Sequence, residues 1–163
     1  ERLLVVGNRF GIAAGIVQPV AELHVGSHVP GIGREDVAPA LQSLKSAGLR
    51  LAFLSNATPN ILNAGIKNSG LENVFEQVLS TDKIKTYKPD RRAYQMAVDA
   101  FRLRKEEILF VAFAGWDAAG AKSFGYETFW VNRLDAPAEQ LSVFPDGVGK
   151  NLNDLVSFMK AKS

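Results

Sequence analysis

An α/β domain built on a parallel sheet, with helices covering both faces, is the fold this sequence predicts. Three observations carry it. Short, unbroken apolar runs recur along the chain, RLLVVG at residues 2–7, LRLAFLSN at 49–56 and ILFVAF at 108–113; such runs, lacking polar alternation, belong to strands buried on both faces. Between them lie segments whose apolar residues repeat at helical spacing. The two kinds of segment alternate over most of the length, as a sheet made of βαβ units requires. A chain of 163 residues accommodates this as one domain spanning 1–163, burying roughly 70% of its unfolded surface.

Taken in order, residues 2–7 form the first strand, stopped by Gly7 and Asn8. Residues 11–34 hold glycines at 11, 15, 26, 31 and 33 and prolines at 19 and 30, with no sustained period. They read as a long connection with little core of its own. From Asp36 to Ala47 a helix turns Val37, Leu41 and Leu44 inward, with Pro39 in its first turn and Gly48 as its stop. LRLAFLSN is the second strand. Pro59 to Ser69 then places Ile61, Leu62 and Ile66 on one helical face, before Gly70. Gln77 to Ser80 is a short strand leading into the loop TDKIKTYKPD. Tyr94, Val98 and Phe101 share a face of a helix over 91–101, and Ile108 to Phe113 is a further strand. Asp117 to Phe124 is a short helix that starts at Asp117, and Thr128 to Val131 a strand. The last helix, Asn151 to Lys160, is capped by Asn151 with Asp154 three residues on, and turns Leu152, Leu155, Val156 and Met159 inward.

Composition narrows the function. With 47% apolar residues, 22% charged residues and a net charge of +2, the chain lacks the basic excess that nucleic acid or an anionic membrane surface demands. The absence of cysteine excludes disulfides, thiolate metal sites and thiol nucleophiles. His24 and His28 are spaced i,i+4 but stand on a Gly/Pro-flanked stretch without further ligands, so they read as a surface loop. No metal and no cofactor are expected. No apolar run approaches the roughly 18 residues that span a bilayer, and no signal pattern precedes the first strand. The expected compartment is the cytoplasm. An opening on Glu1-Arg2 rather than methionine is what a processed or incompletely represented N-terminus gives.

In an open α/β sheet, ligands collect outside the carboxyl ends of the strands. Four polar positions converge on that edge: Asn8, Ser55 with Asn56, the loop holding Lys88, and Asp117. Singly each reads as a turn residue, a cap or a solvated charge; their joint position marks a candidate site.

The patterns LRLAFLSN, TYKPDRRAYQMA and ILFVAFAGWDAAGAKSFGYETFWVNR, in that order over about residues 34–160, resemble the core domain of the type II (S)-2-haloacid dehalogenases of the haloacid dehalogenase superfamily. The resemblance implies a three-layer Rossmann-like core. It also implies a hydrolase that cleaves the carbon–halogen bond of a small 2-halocarboxylic acid, with inversion, through an ester on an aspartate at the end of the first strand. Carried over residue by residue, Ser55 and Asn56 hold the substrate carboxylate, Lys88 offsets charge on the nucleophile, and Asp117 is the acid of the final motif. Tyr94, Trp116 and Phe10 fall at substrate-binding positions. A carboxylate nucleophile beside a carboxylate substrate needs a nearby cation, and Lys88 is the candidate.

The chain departs from that pattern in three places. Asn8 stands where the nucleophilic aspartate belongs, and a neutral amide oxygen is a far poorer nucleophile. Ala112, Phe113, Ala114 and Gly115 replace polar residues ahead of Trp116 and Asp117. Only residues 13–33 occupy the interval in which the family inserts a helical cap with a halide-binding arginine, so the cap is expected to be absent or minimal; Arg9 and Arg34 read as solvated charges. Phe10 also stands where a magnesium phosphatase on this fold has its second carboxylate, which disfavours that chemistry. Two readings follow, a dehalogenase-type hydrolase with low or no activity and a non-catalytic module that binds a small carboxylate or a protein. An uncapped edge would expose apolar surface around Phe10, Phe113 and Trp116, which homodimerisation would cover.

Overall fold

The computed structural model describes residues 2–8 and 35–162. Its strands are β1 (Leu3–Asn8), β2 (Arg50–Ser55), β3 (Gln77–Ser80), β4 (Ile108–Ala112), β5 (Glu127–Val131) and β6 (Gly147–Gly149). The helices are α1 (Val37–Ser46), α2 (Pro59–Asn68), α3 (Arg91–Phe101), α4 (Gly115–Phe124) and α5 (Leu152–Lys160). All six strands run parallel in the order β3-β2-β1-β4-β5-β6. This is the doubly wound arrangement, in which the chain reverses its direction of travel across the sheet beside β1. Asn8 pairs with Ser55, and Ser55 with Ser80, so three strand ends lie side by side at the carboxyl edge.

Alternation along each strand feeds two separate cores. Leu4 and Val6 of β1, with Leu51, Phe53, Leu109, Val111, Phe129 and Val131, face α1, α2 and α5 in a largely aliphatic layer. Leu3, Val5, Ala52, Leu54, Phe110 and Trp130 face α3 and α4, where Tyr94, Phe124 and Tyr126 make the layer aromatic. A buried leucine such as Leu41 of α1 contributes roughly 1.5–3 kcal/mol relative to exposure, which is why the predicted inward faces of the helices are the observed ones.

The helix ends follow local chemistry. Pro59 opens α2, where its missing N–H costs nothing. Asp90 caps α3 by accepting from the Arg92 amide at 2.8 Å. Asn151 and Asp154 form the reciprocal capping box at α5. Asp36 joins three elements at once, accepting from Arg133 at 2.8 Å and from the Leu152 amide at 2.6 Å.

Three expectations are corrected. Helix α4 begins at Gly115 rather than Asp117, placing Asp117 inside the first turn. Strand β6 is absent from the sequence reading because Gly-Val-Gly carries no strand signal. Phe113 is not bare but partly buried against the aliphatic core, and Trp116 is half-buried. Among the described residues the exposed large apolar side chains are instead Tyr87, Leu134, Leu141, Phe144, Val148, Ile84 and Val78. The expectations for Arg9, Phe10, His24, His28, Arg34 and the connection 13–33 fall outside the described residues. No helix among the described residues is long and apolar enough to cross a membrane.

Candidate active site

The carboxyl edge brings together Ser55, Asn56, Lys88, Tyr94 and Asp117. At its centre is a buried ion pair, Lys88 Nζ donating to Asp117 Oδ2 at 2.6 Å, with the two side chains 0% and 1% exposed. The ammonium also donates to the Leu54 carbonyl at 3.3 Å and lies 5.4 Å from the centre of the Phe110 ring. Burial pulls the Lys88 pKa below the usual lysine range, against the raising pull of Asp117's charge and hydrogen bond. A buried charge is tolerated only when paired and hydrogen-bonded, and Lys88 is both.

The second oxygen of Asp117 is also occupied. Tyr94 donates to Asp117 Oδ1 at 2.9 Å, from a side chain that is completely buried. Burial first, then the neighbouring Asp117 charge, drives the Tyr94 phenol far above its ordinary pKa, so it remains a proton donor throughout the working range. The structure therefore sets Tyr94 behind Asp117 rather than at an open surface.

Asn56 braces the segment that carries Lys88. Its Oδ1 accepts from the Lys88 amide at 2.8 Å and from the Thr81 hydroxyl at 3.2 Å, and its Nδ2 donates to the Lys88 carbonyl at 3.3 Å. The Lys88–Pro89 peptide is cis. Ser55 Oγ accepts from the Ala57 amide at 3.1 Å, and Ser80 donates to the Ala57 carbonyl at 2.7 Å, so hydroxyls on adjacent strands fix the turn after β2. Thr81 and Ser80 have no distinguishing pattern in the sequence; only their position after a four-residue strand could have drawn attention to them. For Asn8 the backbone is placed, in register with Ser55 at the end of the central strand. Phe10 lies outside the described residues. Among the described residues no three His, Cys, Asp or Glu side chains gather as a metal site.

Comparison with known proteins agrees with this architecture. An (S)-2-haloacid dehalogenase of Pseudomonas sp. (strain YL) is 38% identical over 125 residues, covering 77% of this chain and 54% of that protein. A crystal structure of an L-2-haloacid dehalogenase matches with TM-score 0.75 at 41% identity, covering 76% of this chain and 55% of that one. The L-2-haloacid dehalogenase of Xanthobacter autotrophicus, solved with chloropropionic acid covalently bound, matches with TM-score 0.73 at 30% identity over 78% of this chain and 61% of that one. The chain spans about half the length of the curated relatives it matches. The family profile described as haloacid dehalogenase-like hydrolase matches residues 15–125. That match takes in β2, β3 and β4 together with Ser55, Asn56, Lys88, Tyr94 and Asp117, and the chain belongs to the haloacid dehalogenase-like hydrolases.

Proposed function

We propose that the chain carries the charge-handling part of a haloacid dehalogenase site, directed at (S)-2-haloacids, with the covalent step impaired at Asn8. The observation that supports it best is the buried Lys88–Asp117 pair beside the end of β1. In this reading an oxygen at position 8 would attack the halogen-bearing carbon as the halide leaves with its bonding electrons. Water would then cleave the ester to release the 2-hydroxy acid. Lys88 offsets the negative charge that substrate and nucleophile bring together, Asp117 holds Lys88, and Ser55 with the turn it fixes receives the substrate carboxylate. Phe10 and Trp116 supply apolar wall, and Tyr94 serves through Asp117. The amide at Asn8 cannot form the ester as a carboxylate does, so displacement falls by several orders of magnitude. Residues 13–33 are too few for the helical cap that the family inserts there, and a site without that cap is wetter, with each electrostatic contact weaker.

Halide release from 2-chloropropionate tests this. The native chain should be near background and Asn8→Asp should release halide, with loss on a further Lys88→Ala change. Silence of Asn8→Asp, with the fold intact, would count against the hydrolase reading. Asn8 itself favours a second reading, a binding module that keeps the pocket for a small carboxylate without turnover; 2-chloropropionate binding by the native chain, abolished in Ser55→Ala, is its signature.

A further inference from the structure

Helix α4 passes so close to the ring of Tyr94 that position 120 has no room for a side chain. A methyl group on Gly120 would lie 2.4 Å from the Tyr94 hydroxyl oxygen, 2.9 Å from Pro89 Cβ and 3.2 Å from Tyr94 Cζ. Comfortable contact between such atoms is roughly 3.5–4 Å. Tyr94 has nowhere to retreat. Its ring is edge-on to Phe110 and to Tyr126, tilted against Phe124, and its carbonyl accepts the Tyr126 hydroxyl at 2.5 Å. Glycine is among the poorest helix formers, so its place in the middle of α4 is explained by the space it leaves. Asp117 stands three residues earlier, on the same side of the helix.

We propose that Gly120 is a positioning residue of the site, the gap in α4 through which the Tyr94 hydroxyl reaches Asp117 and so fixes which carboxylate oxygen faces Lys88. This rests on the reading of Lys88 and Asp117 as the charge pair of the site. Tyr94 bonds Oδ1 and the ammonium bonds Oδ2, so each carboxylate oxygen has its own donor. Without the hydroxyl, the carboxylate is free to turn about its terminal torsion and more of its negative charge falls on Lys88. Gly120 thus acts on the lysine at second hand, through a tyrosine and a carboxylate.

The test reads the ionisation of Lys88 rather than turnover, by NMR titration of ¹³Cε-labelled lysine with the Lys88 signal identified by its loss in Lys88→Met. The titratable groups facing Lys88 among the described residues are Asp117 from α4 and, behind it, Tyr94 from α3, with Tyr126 beyond; the Leu54 carbonyl and the Phe110 ring complete the surroundings. Gly120→Ala and Tyr94→Phe should each raise the Lys88 midpoint by roughly half a pH unit or more. The double variant should shift it no further, because both changes remove the same hydrogen bond. Thermal unfolding gives a second arm: Gly120→Ala should melt lower, and adding Tyr94→Phe should recover part of the loss by deleting the closest clashing atom. A lower melting temperature with an unmoved Lys88 midpoint, additive shifts in the double variant, or no effect of Gly120→Ala at all would each overturn the proposal. If Gly120→Ala does not fold, the double variant decides. A folded double with the Tyr94→Phe midpoint supports it, whereas an unfolded double assigns the glycine to Pro89 and overturns it. Since no halide need be released, failure of the dehalogenase reading and failure of this one are separately visible.

Discussion

The two faces of the sheet are built from different materials. The face under α1, α2 and α5 is a largely aliphatic layer, with Phe53 and Phe129 set in it and its polar fastening at the rim, where Asp36 ties α1 to Arg133 and to the start of α5. The face under α3 and α4 is aromatic and contains its polar groups: Lys88, Asp117, Tyr94 and Tyr126 are buried and mutually bonded. Aliphatic packing tolerates loss by partial collapse, whereas a buried charge network fails as a unit when one member goes. The candidate site belongs to the less forgiving face, so its geometry is set by the core and not only by loops.

The sharpest way to break that contrast is at the ion pair. Lys88→Met leaves Asp117 charged and uncompensated, with an expected loss of about 3–5 kcal/mol in denaturant unfolding. Combining it with Asp117→Leu should recover most of that loss, since an apolar pair of similar volume is often no worse than a buried ion pair. A double variant no more stable than Lys88→Met would show that the network is not what limits this face. On the aliphatic side, Leu41→Ala should cost about 2–4 kcal/mol and spare the Lys88 titration. Tyr126→Phe removes only the hydrogen bond to the Tyr94 carbonyl, for about 1 kcal/mol, readable as a melting shift of a few degrees.

The rim gives a pH prediction. Burial raises the pKa of Asp36, but the Arg133 hydrogen bond, the Leu152 amide and the Arg133 charge outweigh it and hold the carboxyl below its usual range. The folded state therefore binds its proton less readily than the unfolded chain. The stability this adds is complete above the ordinary carboxylate pKa of about 4 and fades as pH falls through the lower folded value. Asp36→Asn should lower stability at pH 7 and flatten its decline in acid, measured by unfolding at pH 7 and pH 3. The smallest effect is expected at Trp130, whose indole Nε1 is buried without a hydrogen-bond partner among the described residues. Trp130→Phe loses apolar contact but removes that unsatisfied donor, leaving a net change within about 1 kcal/mol.

Much of this was legible in the chain because strong local signals agreed with the tertiary answer. The runs at β1, β2 and β4 needed no alternation to be read as buried strands, and Asn151 with Asp154 wrote its own cap. What was not legible depends on space between distant residues. Gly147 of β6 packs where a methyl group would lie 2.7 Å from Phe129 and 2.8 Å from Phe158, so that strand exists because of what it lacks. Helix α4 starts early on Ala114, which has no capping side chain to announce it. Lys88 and Asp117 are each legible as polar positions at the carboxyl edge, but their direct pairing, and Tyr94's place behind Asp117, appear only in the packed structure.

The position of β1 also has a kinetic consequence. Its neighbours in the sheet are β2, more than forty residues later, and β4, more than a hundred residues later. The first strand must therefore wait, apolar on both faces, until Ile108–Ala112 has been made and can dock beside it. Non-local pairing of this kind slows folding and lengthens the time for which unpaired strand surface is available to other chains. Refolding yield should thus fall with protein concentration, with docking of β4 against β1 as the slow, aggregation-sensitive event.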